Sequence, residues 1–379
     1  YQRIKKKNNV NIYSIVNAYD DGKSTGNLRD IFEILGPSDI RKVQNLFIPR
    51  NKYYNQITKL FQLRIKNISK EDFFQEIKKF VDNKKNEIFG MRLTNIKIKK
   101  FININLNFFY NYFIKNKIKY KKLIVEDMSF INCIYASSIM LNNNKISKSI
   151  NDFNKVFNLS NSTYCISDDI RYLCAIENPN KIYYTEEQIV EKRSNSNIQE
   201  IFLLKKKINN ETFKKLSFKN KRKFLIKNST PPKTNPIILK LIKKADFILY
   251  APGTQHSSLY PTYKHNNLAN NIKKNKKAKK IFITNIGADY ETPNYDTFDY
   301  INGAFKYLSN LKKNYKFEDF FNYILVNNSK IRSNKNYVIH NTRKFNKINS
   351  NLICENFESK TYKGKHDGKK IAKFIESLF

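Results

Sequence analysis

The sequence predicts an α/β fold with a mostly parallel sheet, flanking helices and a β-rich insertion. Three observations support this. Apolar β-branched runs alternate with amphipathic stretches of helical period. The clearest runs, Asp246–Tyr250 and Lys280–Asn285, each end in a loop rich in glycine, hydroxyl or acidic residues before a helix. The same order opens the chain, where Val10–Val16 leads into NAYDDGKSTGNLRDIFEILGPSDIR, residues 17–41. Strand, polar loop, helix is the unit from which parallel sheets are built, with ligands at the carboxyl ends of the strands.

Taken in order, Val10–Val16 is the first strand and residues 17–27 are its loop. Ser38 is expected to cap a helix with Asp39 in its first turn. Ser69 is expected to cap another, with Asp72 near its third position and Phe73, Phe74, Ile77, Phe80 and Val81 facing the core. Residues 94–120 suit helix and strand equally. Met128–Leu141 reads as a buried helix, and Ile150, Phe153, Val156 and Phe157 continue a helical period. Tyr164–Ser167, Tyr172–Glu177, Ile182–Ile189 and Ile198–Leu204 read as strands of the insertion, and Lys205–Lys233 as a linker or loose excursion. A helix from Asn235-Pro236 through Ile242, the two strands named above and a helix over Asp296–Leu308 restore the alternation. Phe317–Leu325 and Lys369–Leu378 are expected to be helical. The expected domains are residues 1–311, with an insertion at about 160–233, and a helical extension over 312–379.

Bulk composition narrows the function classes. A chain of 379 residues with 40% hydrophobic content, 29 Phe and 24 Tyr can bury a large core. No apolar run approaches the ~20 residues needed to cross a bilayer, so no membrane partner is expected. Cys133, Cys165, Cys174 and Cys354 lack metal or disulfide spacing, which suits a cytoplasmic protein. The formal charge of +39 invites a nucleic-acid reading. Yet the lysines are spread through every segment, arginine is scarce beside them, and no recognition module is present. Compositional drift is therefore preferred, and a basic nucleic-acid binder is kept as a remote alternative.

Chemistry concentrates in three loops. In the first, DGKST tempts toward a P-loop, but that motif needs a glycine five positions before Gly22, where Asn17 stands. What survives is a site for diphosphate and metal. Gly22 and Gly26 allow positive φ or close approach to a ligand. Ser24 and Thr25 offer hydroxyls, and Lys23, Arg29 and Arg41 offer charge. Asp20 and Asp21 are candidate Mg²⁺ ligands. In the second loop, APGTQHSSLYP (residues 251–261), Thr254, Ser257 and Ser258 precede a helix in a manner suited to an anion. His256 has no partner in the sequence and reads as a loop histidine. In the third, Asn285, Asp289 and Glu291 suit a sugar, base or metal.

These residues resemble the 2-phospho-L-lactate transferase family, which includes the UDP-sugar-binding gluconeogenesis-factor proteins. DDGKSTGNLR (residues 20–29) with GPSDIR (36–41) resembles the family signature. APGTQHSSLYP resembles its second glycine loop, and ITNIGADYET (283–292) its Asn…Glu-Thr loop. The resemblance spans about residues 10–308. It implies a Rossmann-like fold and a nucleotide-diphosphate-linked ligand of GDP or UDP type. In the transferase branch a phospholactyl-type group moves from a guanosine diphosphate carrier to a deazaflavin alcohol with Mg²⁺, so an active chain would be a transferase of phosphorus-containing groups. Asp20 and Asp21 would be the catalytic, metal-holding pair. Gly22, Lys23, Ser24, Thr25, Gly26, Arg29, Asp39, Arg41, Asn132, Gly253, Thr254, Ser257, Ser258, Asn285 and Glu291 would bind substrate and phosphate. The form of the first motif is closer to the UDP-sugar-binding branch, for which binding without turnover is expected. The family's Ser-x-Gly-Asn helix start stands here as Ser129-Phe130-Ile131-Asn132, with Ile at the glycine. No family-type glycine loop precedes Val10, so an N-terminally truncated copy is expected. Oligomeric state is left open, a homo-oligomer included.

Overall fold

The computed structural model describes residues 10–159, 163–178, 181–208, 210–310, 312, 314–328, 336–341, 344–345, 348 and 350–379. They divide into two units, Tyr13–Ile170 and Arg171–Phe379, the latter together with residues 10–12. The fold is α/β, with parallel sheets and flanking helices.

In the first unit, β1 (Ser14–Val16) is shorter than predicted. The helix α1 (Lys23–Phe32) begins well inside the expected loop, and α2 (Ser38–Asn45) is capped by Pro37, so Ser38 is its first helical residue. After α3 (Tyr54–Gln62) and the two-residue strand β2 (Arg64–Ile65), α4 (Lys70–Val81) starts as predicted. Ser69 accepts from the Asp72 amide at 3.0 Å, and Phe73, Phe74, Ile77 and Phe80 are buried. The ambiguous stretch is a 20-residue helix, α5 (Ile96–Lys115), capped by Asn95. It buries Ile98, Ile102, Leu106, Phe109 and Phe113 at helical spacing, and the Phe74 and Phe109 rings stack 6.2 Å apart.

β3 (Met128–Ser129) pairs antiparallel with β2 and leads into α6 (Phe130–Leu141). Phe130 through Ile139 are all buried, so α6 is a central helix packed on every side. Its Tyr135 ring stacks on Phe153 of α7 (Ile146–Val156), centroids 3.7 Å apart. The Tyr135 hydroxyl donates to Gln44 Oε1, and Gln44 Nε2 donates to Asn154 Oδ1 at 2.9 Å. This satisfied buried network fixes α2 against α6 and α7. β4 (Thr163–Cys165) pairs parallel with β1. The run expected at residues 164–167 as part of the insertion therefore belongs to this unit.

The second unit holds two sheets. β5 (Tyr172–Asn178) is the central strand of an antiparallel sheet between β6 (Lys181–Tyr183) and β7 (Glu200–Leu204). The strand expected over residues 182–189 stops at Tyr183, and Thr185 caps a helical turn, Glu186–Val190. Residues 205–233, expected as a linker, contain helices Asn210–Lys214 and α8 (Phe218–Asn228). Phe213 and Leu225 pack on Cys174, Ile176, Phe202 and Leu204 of the sheet. Lysines and other polar residues separate the apolar positions there, and they concealed the packing of the segment.

The parallel sheet follows. Helix α9 (Pro236–Lys244), capped by Asn235, precedes β8 (Phe247–Tyr250). β9 (Lys279–Ile283), β10 (Tyr323–Asn327) and β11 (Asn351–Glu355) join it in the order β8-β9-β10-β11, all parallel. Between β9 and β10 lies α12 (counting α10, Tyr260–Tyr263, and α11, Leu268–Lys274), spanning Thr297–Ser309 with a capping box between Asp296 and Asp299. Two predictions are corrected here. Residues 317–325 are a 3-10 turn (Phe317–Asp319) and a strand rather than a helix, and residues 312–379 supply two strands of the parallel sheet rather than a helical extension. Buried on both faces, Ile324, Leu325 and Val326 form a continuous apolar run that lacks strand alternation. The predicted last helix is present as α13 (Gly368–Glu376), and its Ala372 and Ile375 pack on Ile281, Ile283 and Leu325. Among the described residues, no helix is long and apolar enough to cross a membrane.

The packed state of residues 205–233 is testable. Leu225→Ala should lower stability by about 2–5 kcal/mol in urea unfolding, as for other large-to-small core changes. A change below about 0.5 kcal/mol, typical of surface sites, would support the linker reading.

Candidate functional site

The first acidic loop is held by close packing of backbone on backbone. A Cβ on Gly26 would lie 2.0 Å from the Asp21 carbonyl oxygen, and one on Gly36 would lie 2.0 Å from that of Asp20. Neither glycine takes a positive φ, and Gly22, the cap of α1, is extended at φ −67°. The expectation of positive φ in this loop is thus corrected. Gly26 and Gly36 are needed for contact within the protein, whereas a Cβ on Gly22 would meet only the Asp20 side chain at 3.4 Å. The Gly36 amide donates to the Ala18 carbonyl at 2.9 Å, closing the loop from the other side.

Around this loop the predicted residues fall into distinct roles. The Asp20 carboxylate accepts from the Gly22 amide at 3.2 Å and from the Ser38 hydroxyl. Burial and the nearby charge of Asp39 raise its pKa above the usual aspartate value. Asp39 in turn pairs with Lys42 at 2.8 Å. Burial opposes charge on Lys42, but Asp39 outweighs it and raises the pKa of its ammonium. The carboxylate facing Asp20 is therefore Asp39, whereas the sequence suggested its neighbour Asp21. Arg29, expected to meet a diphosphate, is only 2% exposed and donates to the Tyr19 carbonyl at 2.7 Å, bracing the loop from beneath. Arg41 is partly buried and donates to the Phe61 carbonyl at 2.9 Å, its pKa lowered by burial and by Arg64 nearby. Thr25 is buried and accepts from Asn132 Nδ2 at 3.2 Å, and Ser24 is half-buried. The Lys23 side chain lies outside the described residues.

Among the described residues no three His, Cys, Asp or Glu side chains gather as a metal cluster. A cation at Asp20 would therefore have one or two carboxylates and complete its shell from phosphate and water, the usual arrangement for Mg²⁺. Asp20 and Asp39 repel each other, and Lys42, paired with Asp39, offsets part of that repulsion. An open cleft of about 500 Å³, lined by Arg50, Asn51, Lys52, Tyr54 and Asn55, contains none of the predicted residues.

In the other unit the second and third loops hold each other. Asn285 Oδ1 accepts from the Gly253 amide and its Nδ2 donates to the Gly253 carbonyl, both at 3.1 Å. Residues Gln255–Leu259 form a π-helical turn, with the Leu259 amide on the Thr254 carbonyl at 3.1 Å. Such turns recur at functional sites. Glu291 Oε2 accepts the His256 and Ser257 amides at 2.7 and 3.1 Å. Asn285 and Glu291, expected to reach a ligand, thus make these contacts to the loop itself. Thr254 Oγ1 donates to Ser258 Oγ at 2.9 Å. His256 is buried, and burial with the charges of Lys306 and Lys192 lowers its pKa to about 3, so its imidazole is neutral near pH 7.

Sequence reasoning gave Ser38 only as a helix cap and Gly36 only as part of a motif, and it missed Lys192. Lys192 is 2% exposed and donates to the Tyr290 and Ser194 carbonyls at 2.9 and 2.7 Å, anchoring the third loop. One lysine among 71 basic residues gives no sequence signal of that role.

Two measurements test these contacts. Gly36→Ala should cost about 1–3 kcal/mol or prevent folding, since backbone fills the space its Cβ needs. An unchanged urea midpoint would contradict the packing. Glu291 is buried, and burial raises its pKa from 4.5 to about 7 despite its hydrogen bonds. The folded state therefore holds this proton where the unfolded chain releases it. Stability should fall by roughly 3 kcal/mol as pH rises from about 4.5 through 7. Glu291→Gln should remove that component, and parallel pH profiles for the two proteins would refute it.

Comparison with known proteins gives the chain's relatives. A crystal structure of a UPF0052-family protein from Bacillus halodurans superposes with a TM-score of 0.67 at 19% identity, covering 99% of this chain and 94% of that one. A second crystal structure of that bacterial protein gives 0.66 at 18%, covering 98% and 93%. At these identities the likeness shows the fold. A search of curated proteins finds no match. The family model for 2-phospho-L-lactate transferase CofD matches residues 2–358, nearly the whole chain. The chain belongs to the 2-phospho-L-lactate transferase CofD family.

Proposed function

We propose that this protein is a Mg²⁺-dependent transferase acting on a nucleotide-diphosphate-linked substrate, in the manner of its family's phospholactate transferases. The carrying observation is the Asp20 carboxylate, set beside Asp39 on a loop fixed by Gly26 and Gly36. Asp20 and Asp39 would hold the metal, with Asp21 available from the same loop. When bound, Mg²⁺ would neutralise diphosphate charge and polarise the phosphorus that is attacked. The chain's own residues supply the rest. Gly26, Gly36 and Arg29 keep the loop backbone in place before substrate arrives, so little reorganisation is needed on binding. Lys42 balances Asp39, which keeps the pair from carrying two uncompensated negative charges. The neutral His256 would not serve as a cationic acid. We place the protein in the cytoplasm, where its four free cysteines are stable as thiols.

The form of the first motif favours a second reading, UDP-sugar binding without turnover. Calorimetric titration of GDP- and UDP-linked ligands, with and without Mg²⁺, tests the shared part. Binding should strengthen with Mg²⁺, and Asp20→Asn should abolish that gain and weaken binding by about tenfold or more. Absence of binding to every such ligand would rule out both readings. Product release from a diphosphate-linked donor then separates transferase from binding protein.

A further inference from the structure

The four cysteines are free thiols, but they sit in different surroundings. Cys133, Cys165 and Cys174 are buried, and each thiol donates to a backbone carbonyl. Burial raises the pKa of Cys133 and Cys165. Cys354 is exposed. It lies on β11, the edge strand of the parallel sheet among the described residues. Ile353 beside it packs on the core, so strand alternation puts Cys354 on the opposite face. Its register partner on β10 is Val326, and Asn328 Nδ2 donates to its carbonyl at 3.1 Å, which fixes the backbone that carries the thiol.

The Cys354 Sγ stands 3.5 Å from His340 Nε2, within hydrogen-bond reach for sulfur. For the thiol to donate there, the imidazole carries its own proton on Nδ1. Thr297 Oγ1 lies 3.1 Å from Nδ1 and accepts that proton. Thr297 is itself buried, and its amide donates to the Ile339 carbonyl at 3.0 Å, so the ring and the chain before it are held by one residue. Nucleophile, base and orienting group in hydrogen-bond sequence are the arrangement that activates a weak nucleophile. The charged groups around the ring are Asp296, which favours the imidazolium, and Lys344, which pairs with Asp296 at 2.7 Å and lies 3.9 Å from Asp299. Burial outweighs Asp296 and lowers the His340 pKa, while burial raises that of Cys354. Near pH 7 the pair is therefore a neutral thiol facing a neutral imidazole. A thiolate forms within it by passing one proton across, without loss of a proton to solvent.

We propose that Cys354 is a site of covalent modification by small disulfides, with His340 as the base that takes its proton and Thr297 holding the imidazole. The thiol proton passes to Nε2, and the Cys354 sulfur attacks one sulfur of the disulfide. A new S–S bond forms as the reagent's own S–S bond breaks, and the departing thiolate takes the proton back from the imidazolium. One thiol and one disulfide become a mixed disulfide and a new thiol, with the reagent as oxidant. None of these residues belongs to the three loops, and the site does not depend on the transferase reading.

The test incubates the full chain with oxidised glutathione from about pH 7 to about 8.5 and follows the masses of the intact protein and its peptides. Proton transfer inside the pair leaves its total protonation unchanged, so the rate of adduct formation at Cys354 should be nearly flat across this range. An ordinary thiol below its pKa reacts about tenfold faster per pH unit, as its thiolate fraction grows. His340→Gln should slow the reaction at pH 7 by about tenfold or more and restore that slope, with the urea midpoint retained. Cys354→Ser should remove the adduct. A parent rate that itself climbs about tenfold per pH unit overturns the proposal, whether or not the variants fold. A first adduct on another cysteine, no adduct at all, or a folded His340→Gln protein that reacts as the parent does would also overturn it.

Discussion

The carbonyl oxygens of Asp20 and Asp21 fill the space that side chains at Gly36 and Gly26 would need, and the acidic loop depends on that contact. Backbone packed this closely cannot shift by a few tenths of an ångström to ease an electrostatic conflict, because interiors are packed like crystals. The Asp20 carboxylate is therefore kept partly out of water and within reach of Asp39, an arrangement that flexible backbone would relax away. Arg29 adds to the constraint from below, with a donor on the Tyr19 carbonyl. Sterics hold the backbone, while Asp39 beside Asp20 and Lys42 paired with Asp39 set the charge around the side chain.

The loop after β8 solves a related problem differently. Its π-turn directs the amides of His256 and Ser257 at one point, the geometry that grips an anion, and the protein places its own carboxylate there. Burial works against ionising Glu291, while the two amides and Ser257 work for it, and burial wins. Those two amides are thus already occupied. Asn285 does the same for both backbone groups of Gly253. The Asn and Glu of this motif preserve a shape, so losing either should disturb the loop before any ligand is considered.

Legibility in the sequence followed the kind of signal each element carries. Helices with a polar cap and a 3.6-residue apolar period, such as Lys70–Val81, were read to within a residue. So was Phe247–Tyr250, and Lys279–Ile283 was read to within two residues. Tyr323–Asn327 was not, because a strand buried on both faces has no alternation to distinguish it from a buried helix. Residues 205–233 looked like a linker or loose excursion because their apolar residues are scattered among lysines, yet Phe213 and Leu225, with Ile208, Leu216 and Phe218 beside them, pack on the sheet. The positions of the three loops were legible, since each sits at a strand end. The tasks of their residues were less so. Arg29 and Arg41 have the same sequence credentials, yet one is sealed beneath the loop and the other lies beside a second arginine. Partnership between Asp20 and Asp39 depends on how α2 returns to the loop, which spacing alone does not reveal.

The charge of +39 also takes on a different meaning beside these loops. Lysines spread over a surface do not read a sequence of bases, but they raise the local concentration of any small anion and speed its encounter. That long-range attraction fades beyond about 8–10 Å at physiological salt, so it delivers anions without choosing among them. Choice must come from short-range groups that a screened field cannot replace. In the acidic loop these are carboxylates, scarce in a chain with 71 basic and 32 acidic residues. A carboxylate repels a bare phosphate and welcomes one that arrives with a divalent cation. On the proposed reading, lysines elsewhere on the chain and an acidic loop would together favour a metal-bound diphosphate over the free anion, and drift toward lysine would leave that preference intact so long as Asp20, Asp39 and the two glycines stay in place.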